Sequence, residues 1–246
     1  MSGPEPIHLR PATDLAERVV LPGDPHTALR VAQSLLESPL MFNHAHGLWG
    51  YTGLAADGAP LTVQSTGMGG PSTAIVVEEL IGLGARTFVR IGTCGALVAR
   101  LELGELVTVP EVVSRDGASA ALGADPRSTA DTGLTRALQA AGARPVTAIS
   151  TDLFYDPRLA IADDWLAAGA EVVEMEAAAL LTVARRRGAC AAVLLAVVDR
   201  LDRGSRAHID ADALETAGRR LGETAFAALA ADGREGSGGG EGPDGR

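Results

Sequence analysis

Four segments of the chain carry residue types that could do chemistry together. In Val19-Val20-Leu21-Pro22-Gly23-Asp24-Pro25 an apolar run breaks at a proline and a bare glycine before a helical pattern begins. Such a strand-turn-helix lets backbone N–H groups approach an anion, and the helix start adds the positive end of its dipole. The same residues also make an ordinary tight turn, with Asp24 as N-cap and Pro25 at the first helical position. In Phe88-Val89-Arg90-Ile91-Gly92-Thr93-Cys94-Gly95-Ala96 an arginine and a hydroxyl lie on either side of Gly92. Arg90 would aim a planar fork of donors at an anion, and Thr93 would add one more. The alternative is a β-bulge with a surface ion pair, although an arginine within an apolar strand is costly without a partner. Glu174-Met175-Glu176 places two carboxylates around a methionine where an apolar run gives way to a helical pattern. They either complement a helix start or grip neighbouring hydroxyls of a sugar, with Met175 packed on its ring. Val198-Asp199 ends an apolar run in an acid. Partly desolvated there, a carboxyl can keep its proton as a general acid must; it can equally cap a loop.

Short β-branched runs alternate with helical patterns around these segments. Strands are expected at Arg18 to Leu21, Leu61 to Ser65, Thr87 to Ile91, Leu106 to Val109, Pro145 to Thr151 and Ala191 to Val198. Helices are expected at His26 to Leu36, Pro71 to Leu83, Thr132 to Ala141, Leu159 to Ala168, Met175 to Arg187 and Ala211 to Leu229. In the first helix Ala28, Leu29, Val31, Ala32, Leu35 and Leu36 share one apolar face. The alternation argues an α/β domain around a central, mostly buried sheet, with ligands bound beyond the carboxyl ends of its strands. Both glycine-rich segments fall at such expected ends. No linker or internal repeat interrupts residues 1–231, which are expected to form one domain. The stretch from Asp232 to Arg246 is almost all Gly, Glu, Asp, Arg, Ser and Pro, and is expected to be a disordered, glycine-rich acidic tail.

Composition removes several function classes. Hydrophobic residues make up 46% and aromatics only 3%, so Val, Leu, Ala and Ile must fill the core. All 21 basic residues are arginine, which excludes a Schiff-base lysine and a Walker-A lysine. A formal net charge of -10 argues against nucleic-acid binding. No apolar run is long enough to span a membrane, and the first residues lack a signal-peptide apolar stretch, so a cytoplasmic protein is expected. Cys94 and Cys190 make neither a disulfide framework nor a zinc site, and no metal is expected.

Taken in order, these segments resemble the hexameric-type nucleoside phosphorylase family, which comprises purine nucleoside and uridine phosphorylases. The resemblance runs from about Ile7 to Leu229. It rests on Pro22-Gly23-Asp24-Pro25, Ser65-Thr66-Gly67-Met68-Gly69-Gly70-Pro71-Ser72, Arg90 to Ala96, Asp152-Leu153-Phe154-Tyr155 and Glu174-Met175-Glu176-Ala177. The stretch from Ser65 to Ser119 looks most like uridine phosphorylases, and that from Asp152 to Asp199 more like the bacterial purine enzymes. The resemblance implies a single α/β domain with a central mixed sheet flanked by helices, of the phosphorylase/hydrolase-like kind. It implies cleavage of a purine nucleoside by phosphate to free base and ribose 1-phosphate, with no cofactor beyond inorganic phosphate as co-substrate. By matched position, Gly23, Arg90 and Thr93 would bind phosphate. Met68, Met175 and Glu176 would hold the ribose, and Phe154, Tyr155, Glu174 and Val198 would meet the base. Asp199 would protonate N7 of the leaving base, with Arg90 as its catalytic partner at the phosphate. His8 lies near the family's N-terminal histidine, one residue out of register with the purine enzymes, and would reach a neighbouring subunit's sugar. A homo-oligomer, a hexamer built as a trimer of dimers, is implied.

The chain departs from the family at two phosphate positions. An arginine normally follows Gly-Asp-Pro by two residues, and Thr27 stands there. A second arginine, supplied by the neighbouring subunit, is normally found in the segment Asn43-His44-Ala45-His46-Gly47, which offers His46. Each charge-assisted contact contributes about 1.5–3 kcal/mol. Arg30, one turn after Thr27 on the same helix face, and His46 as a cation are the candidates to compensate. The insertion with which uridine enzymes read uracil is missing after Tyr155. The serine that usually precedes the catalytic aspartate is Val198, and none of the five arginines between Arg200 and Arg220 aligns with the one that polarises it. A phosphate-independent nucleosidase, a pyrimidine nucleoside phosphorylase and a non-catalytic nucleoside-binding protein remain as alternatives.

Overall fold

The computed structural model describes residues 6–158, 160–202 and 205–232. Among the described residues eleven strands and seven α-helices alternate. In order they are β1 (Arg18–Pro22), α1 (Pro25–Leu35), β2 (Leu36–Asn43), β3 (Gly50–Ala55), β4 (Pro60–Gln64), α2 (Gly70–Leu83), β5 (Thr87–Ala96), β6 (Leu106–Arg115) and α3 (Gly117–Ala121). There follow β7 (Arg127–Thr129), α4 (Thr132–Ala140), β8 (Arg144–Thr151), α5 (Ile161–Ala167), β9 (Val172–Glu174), α6 (Ala177–Arg187), β10 (Cys190–Asp202), β11 (Ser205–His208) and α7 (Ala211–Ala231). All belong to one mixed sheet and its flanking helices, as expected for the α/β class. The tail expected from Asp232 onward lies outside the described residues except for Asp232 itself.

The centre of the sheet closes on itself. β5 pairs with β10, β10 with β6, β6 with β8, β8 with β9, and β9 returns to β5. A wing of β1, β4, β3 and β2 extends from the first half of β5. β10 fills one edge of β5 from Thr87 to Ala96. The other edge is shared: β1 covers Thr87 to Ile91, and β9 takes over only at Gly95 and Ala96. Between them the edge of β5 at Gly92 to Cys94 has no strand partner among the described residues, and the chemistry-bearing segments surround that interval.

Both faces of the central strands are buried, so their apolar residues alternate between two cores. Ala191, Val193, Leu195 and Val197 of β10 pack with α2 and α6, against Val76, Val77, Leu80, Leu180 and Val183. Ala192, Leu194 and Ala196 pack with α1, α4 and α7, against Val31, Leu134, Leu138 and Leu221. Each such large side chain taken from water stabilises the fold by about 1.5–3 kcal/mol. Phe88 joins the first core and Val89 the second, which puts Arg90 on the α2 and α6 side of the sheet.

One expectation needs correction here. Gly92-Thr93-Cys94-Gly95 does not end a strand, because β5 runs through it to Ala96. These glycines are where neighbours press in. A Cβ on Gly92 would sit 3.2 Å from Arg90 Nη2 and 3.3 Å from Leu195 Cδ2, and one on Gly95 would sit 3.2 Å from Leu201 Cδ1. Glycine here admits close packing inside a strand rather than turning the chain. The first glycine segment does end a strand: β1 stops at Pro22 and α1 begins at Pro25.

Candidate active site

A cavity of about 1080 Å³ opens at the unpaired interval of β5. Gly23, Thr27, Arg30, Met68, Arg90, Thr93, Phe154, Glu174, Met175, Glu176, Val198 and Asp199 all line it, and it continues between α1 and α7 past Ser34, Glu215 and Arg219.

Arg90 and Glu176 form its charged centre. The Arg90 side chain is buried, and its Nη2 donates to Glu176 Oε2. Its Nη1 reaches Thr66 Oγ1 at 3.4 Å. Its Nε has no hydrogen-bond partner among the described residues, and Glu174 Oε2 stands 4.0 Å from it. The other oxygen of Glu176 accepts from the backbone N–H of Gly69 at 2.7 Å. Gly69 precedes α2 with φ of 87°, a left-handed conformation that glycine adopts without strain, and this turns its N–H toward the carboxylate.

Glu174 lines the cavity with its carboxylate already engaged. Its Oε2 accepts from the backbone N–H groups of Glu176 and Ala177, both at 2.8 Å, at the start of α6. Its Oε1 accepts from the Ser150 hydroxyl, whose oxygen in turn accepts from Ala178 N at 2.9 Å. Burial, and then the charge of Glu176, push the Glu174 carboxyl up to about 7, against the pull of Arg90. Glu174 thus fixes the start of α6 and the position of Glu176.

Thr27 is committed locally. Its N–H and hydroxyl both donate to Asp24 Oδ2, at 2.7 and 3.0 Å, in the cap of α1. Arg30 lines the cavity as its position one turn later requires. Phe154 lies at the cavity wall, while Tyr155 packs edge-on against it with ring centroids 5.0 Å apart and is 87% exposed. Tyr155 is therefore a neighbour of the expected base contact and does not line the cavity.

Asp199 reaches the cavity through an irregularity in β10. Val197 pairs with Cys94 and Asp199 with Gly95, so Val198 is an extra residue between them. Such a bulge re-aims the side chains that follow it. The Asp199 carboxyl is buried and pairs with His208 on β11, Oδ1 to Nδ1 at 2.8 Å. Cys94 lies beneath this floor, its thiol pushed far up by burial and then by Glu174 and Asp199, which makes it inert as a nucleophile.

Residues 17–231 match the family model of the phosphorylase superfamily. The chain belongs to that superfamily. It is 35% identical over 205 residues to a DeoD-type purine nucleoside phosphorylase of Jannaschia sp. (strain CCS1), a match covering 79% of this chain and 87% of the relative. A DeoD-type purine nucleoside phosphorylase of Geobacillus kaustophilus is 34% identical over 207 residues, covering 79% and 86%. A guanosine phosphorylase of Halorubrum lacusprofundi is 35% identical over 208 residues, covering 81% and 85%.

Besides Tyr155, two residues expected at this phosphorylase-superfamily site lie outside its cavity. His8 and His46 stand together with ring centroids 5.2 Å apart. Buried Glu79 gathers the N-terminal segment, accepting from the backbone N–H groups of Ile7, His8 and Leu9 and pairing with His8 Nδ1 at 2.7 Å. Neither histidine lines the cavity of its own chain. Sequence reasoning missed Ser150, Thr66 and His208. Among the described residues no helix is long and apolar enough to cross a membrane, and no group of three or more His, Cys, Asp or Glu is placed to hold a metal ion.

Proposed function

We propose that this chain is a purine nucleoside phosphorylase, which cleaves a purine nucleoside with inorganic phosphate to free base and ribose 1-phosphate. The observation that carries this reading is convergence. One cavity is lined by the Arg90–Glu176 pair, by Gly23 and Thr93, by the buried acid Asp199 and by Phe154. The names of the relatives, purine nucleoside and guanosine phosphorylases, favour a purine over a pyrimidine base.

The chemistry divides among these residues. As the C1′–N9 bond breaks, its electron pair goes to the base and positive charge grows on the sugar. Asp199 gives its proton to N7, so the base leaves neutral. Glu176 accepts hydrogen bonds from the ribose 2′ and 3′ hydroxyls, and Met68 and Met175 pack on the ring. Phosphate held by Gly23, Arg90 and Thr93, with Arg30 at the same wall, offsets the developing charge and then captures C1′ through one oxygen. Glu174 and Val198 position Glu176 and Asp199, and no cofactor beyond phosphate takes part. The His8 and His46 cluster, set away from its own cavity, serves a neighbouring copy in a cytoplasmic homo-oligomer, a hexamer assembled as a trimer of dimers. Light scattering that gives a monomer would remove these two residues from the reading.

A specific observation favours water as the acceptor instead. Thr27 spends its hydroxyl on Asp24, and His46 is not on the cavity. Base release measured from zero phosphate to tens of millimolar separates the two. Saturable dependence on phosphate with formation of ribose 1-phosphate is the expected result. Release independent of phosphate establishes a nucleosidase, and no release at any concentration leaves a nucleoside-binding protein.

A further inference from the structure

We infer that His208 is the positioning residue of the proton donor Asp199, an inference that rests on the proton-transfer role given to Asp199 above. In the antiparallel pairing of β10 with β11, Asp199 and His208 are direct partners. Side chains of directly opposed residues project to the same face and meet. The extra residue Val198 turns Asp199 to that face, where His208 Nδ1 lies 2.8 Å from Asp199 Oδ1. The two side chains are 8% and 57% exposed, so the acid is inside and the imidazole extends from it toward solvent.

With its proton on Nδ1, His208 donates to Oδ1 and fixes the plane of the carboxyl. During cleavage the O–H bond of Asp199 breaks and an N–H bond forms at N7. The electron pair of the glycosidic bond passes to the base, and a phosphate oxygen bonds C1′. His208 keeps its proton throughout. As Asp199 becomes a carboxylate, the Nδ1–H bond becomes charge-assisted and shortens. It is therefore stronger in the transition state than in the ground state, which is the condition for an effect on rate rather than on binding alone. At the same cavity Arg90 is bonded to Glu176, and Arg219 pairs with Glu223 on α7.

The test compares a purine nucleoside with its N7-methylated analogue, whose base already carries positive charge and leaves without a proton. For His208→Ala, kcat on the ordinary nucleoside should fall roughly tenfold to a hundredfold with KM little changed. Its rate on the N7-methylated nucleoside should equal that of the wild type. His208→Asn, whose side-chain amide can donate from the place of Nδ1, should recover much of the loss. Equal loss on both substrates, or no loss on either, overturns the inference. Asp199→Asn is run alongside. If it discriminates between the substrates and His208→Ala does not, the His208 assignment alone falls. If Asp199→Asn fails to discriminate, the proton-donor role falls and takes this inference with it.

Discussion

Glu174 and Glu176, two residues apart, approach the Arg90 guanidinium unequally. Glu176 Oε2 is hydrogen-bonded to Nη2, while Glu174 Oε2 stands 4.0 Å from Nε with its lone pairs turned to the N–H groups of Glu176 and Ala177. A single positive charge cannot neutralise two buried carboxylates. The protonation of Glu174 decides whether the centre of the cavity is neutral or negative, and therefore how well it receives an anion.

Phosphate affinity should accordingly depend on pH through Glu174. Its carboxyl is pushed from 4.5 up to about 7 by burial and by Glu176. Below that value Glu174 is neutral and Arg90 faces one carboxylate; above it Arg90 faces two. KM for phosphate should rise between about pH 6 and about pH 8 as Glu174 ionises. Because the folded-state value lies above the unfolded one, the stability due to this carboxyl is full below the unfolded value and is lost as pH rises through about 7. Glu174→Gln should flatten both trends. Steady-state kinetics across that range, and thermal melts from about pH 4.5 to about pH 7, check this, and a variant that keeps the wild-type slopes contradicts it.

Arg90 and Glu176 should show strong energetic coupling. Removing one partner of a buried ion pair leaves the other uncompensated and typically costs about 3–5 kcal/mol. Arg90→Met alone leaves two buried carboxylates, and Glu176→Gln alone leaves Arg90 with less than its charge partner. The double variant should be more stable than the sum of the single losses, by about 1–3 kcal/mol. A denaturant-unfolding cycle reads this directly, and additive losses would show that the pair is energetically idle.

The ribose diol role predicts a change in sugar preference. Glu176→Gln keeps the Gly69 N–H bond within reach of an amide oxygen but replaces a charged acceptor with a neutral one. Hydrogen bonds to charged groups contribute about 1.5–3 kcal/mol. Loss of kcat/KM should be larger for a ribonucleoside than for its 2′-deoxy counterpart, which offers one hydroxyl fewer. Parallel progress curves with the two sugars test this, and equal loss on both would place the diol elsewhere.

How much of this was legible in the sequence follows from burial. The central strands were readable because β-branched runs such as Thr87 to Ile91 and Ala191 to Val198 are buried on both faces. β2 was not, because Leu36 to Asn43 buries only Leu36, Phe42 and Asn43 and contains Pro39, leaving no period to follow. β9 and β11 are too short for a pattern and exist through their partners. The glycines of β5 read as a strand end, although they answer to the bulk of Leu195 and Leu201 arriving from elsewhere and of Arg90 on the same strand. Among site residues, Arg90 and Glu176 stood out because charge at the end of an apolar run demands a partner. His208 is an exposed histidine in a polar stretch, and only the register of β10 with β11 gives it meaning.

Gly92 offers the sharpest separation of activity from stability. Its backbone is not in the left-handed region, so alanine introduces no conformational strain there. The added Cβ would nevertheless meet Arg90 Nη2 at 3.2 Å and Leu195 Cδ2 at 3.3 Å, each closer than a comfortable contact. Leu195 can yield within the core, at an overpacking cost of typically about 1–3 kcal/mol. Arg90 can yield only by moving its guanidinium away from Glu176, since Gly92 is the residue over which that group lies. A misplacement of about 1 Å in a positioning group can cost on the order of a hundredfold in rate. Gly92→Ala should therefore fold cooperatively with a modest drop in Tm while kcat/KM for phosphate collapses. Gly95→Ala, which meets Leu201 and Val173 but not Arg90, should lose comparable stability and retain far more activity. If the two variants lose activity in proportion to their stability, the crowding acts on the fold and not on the anion site.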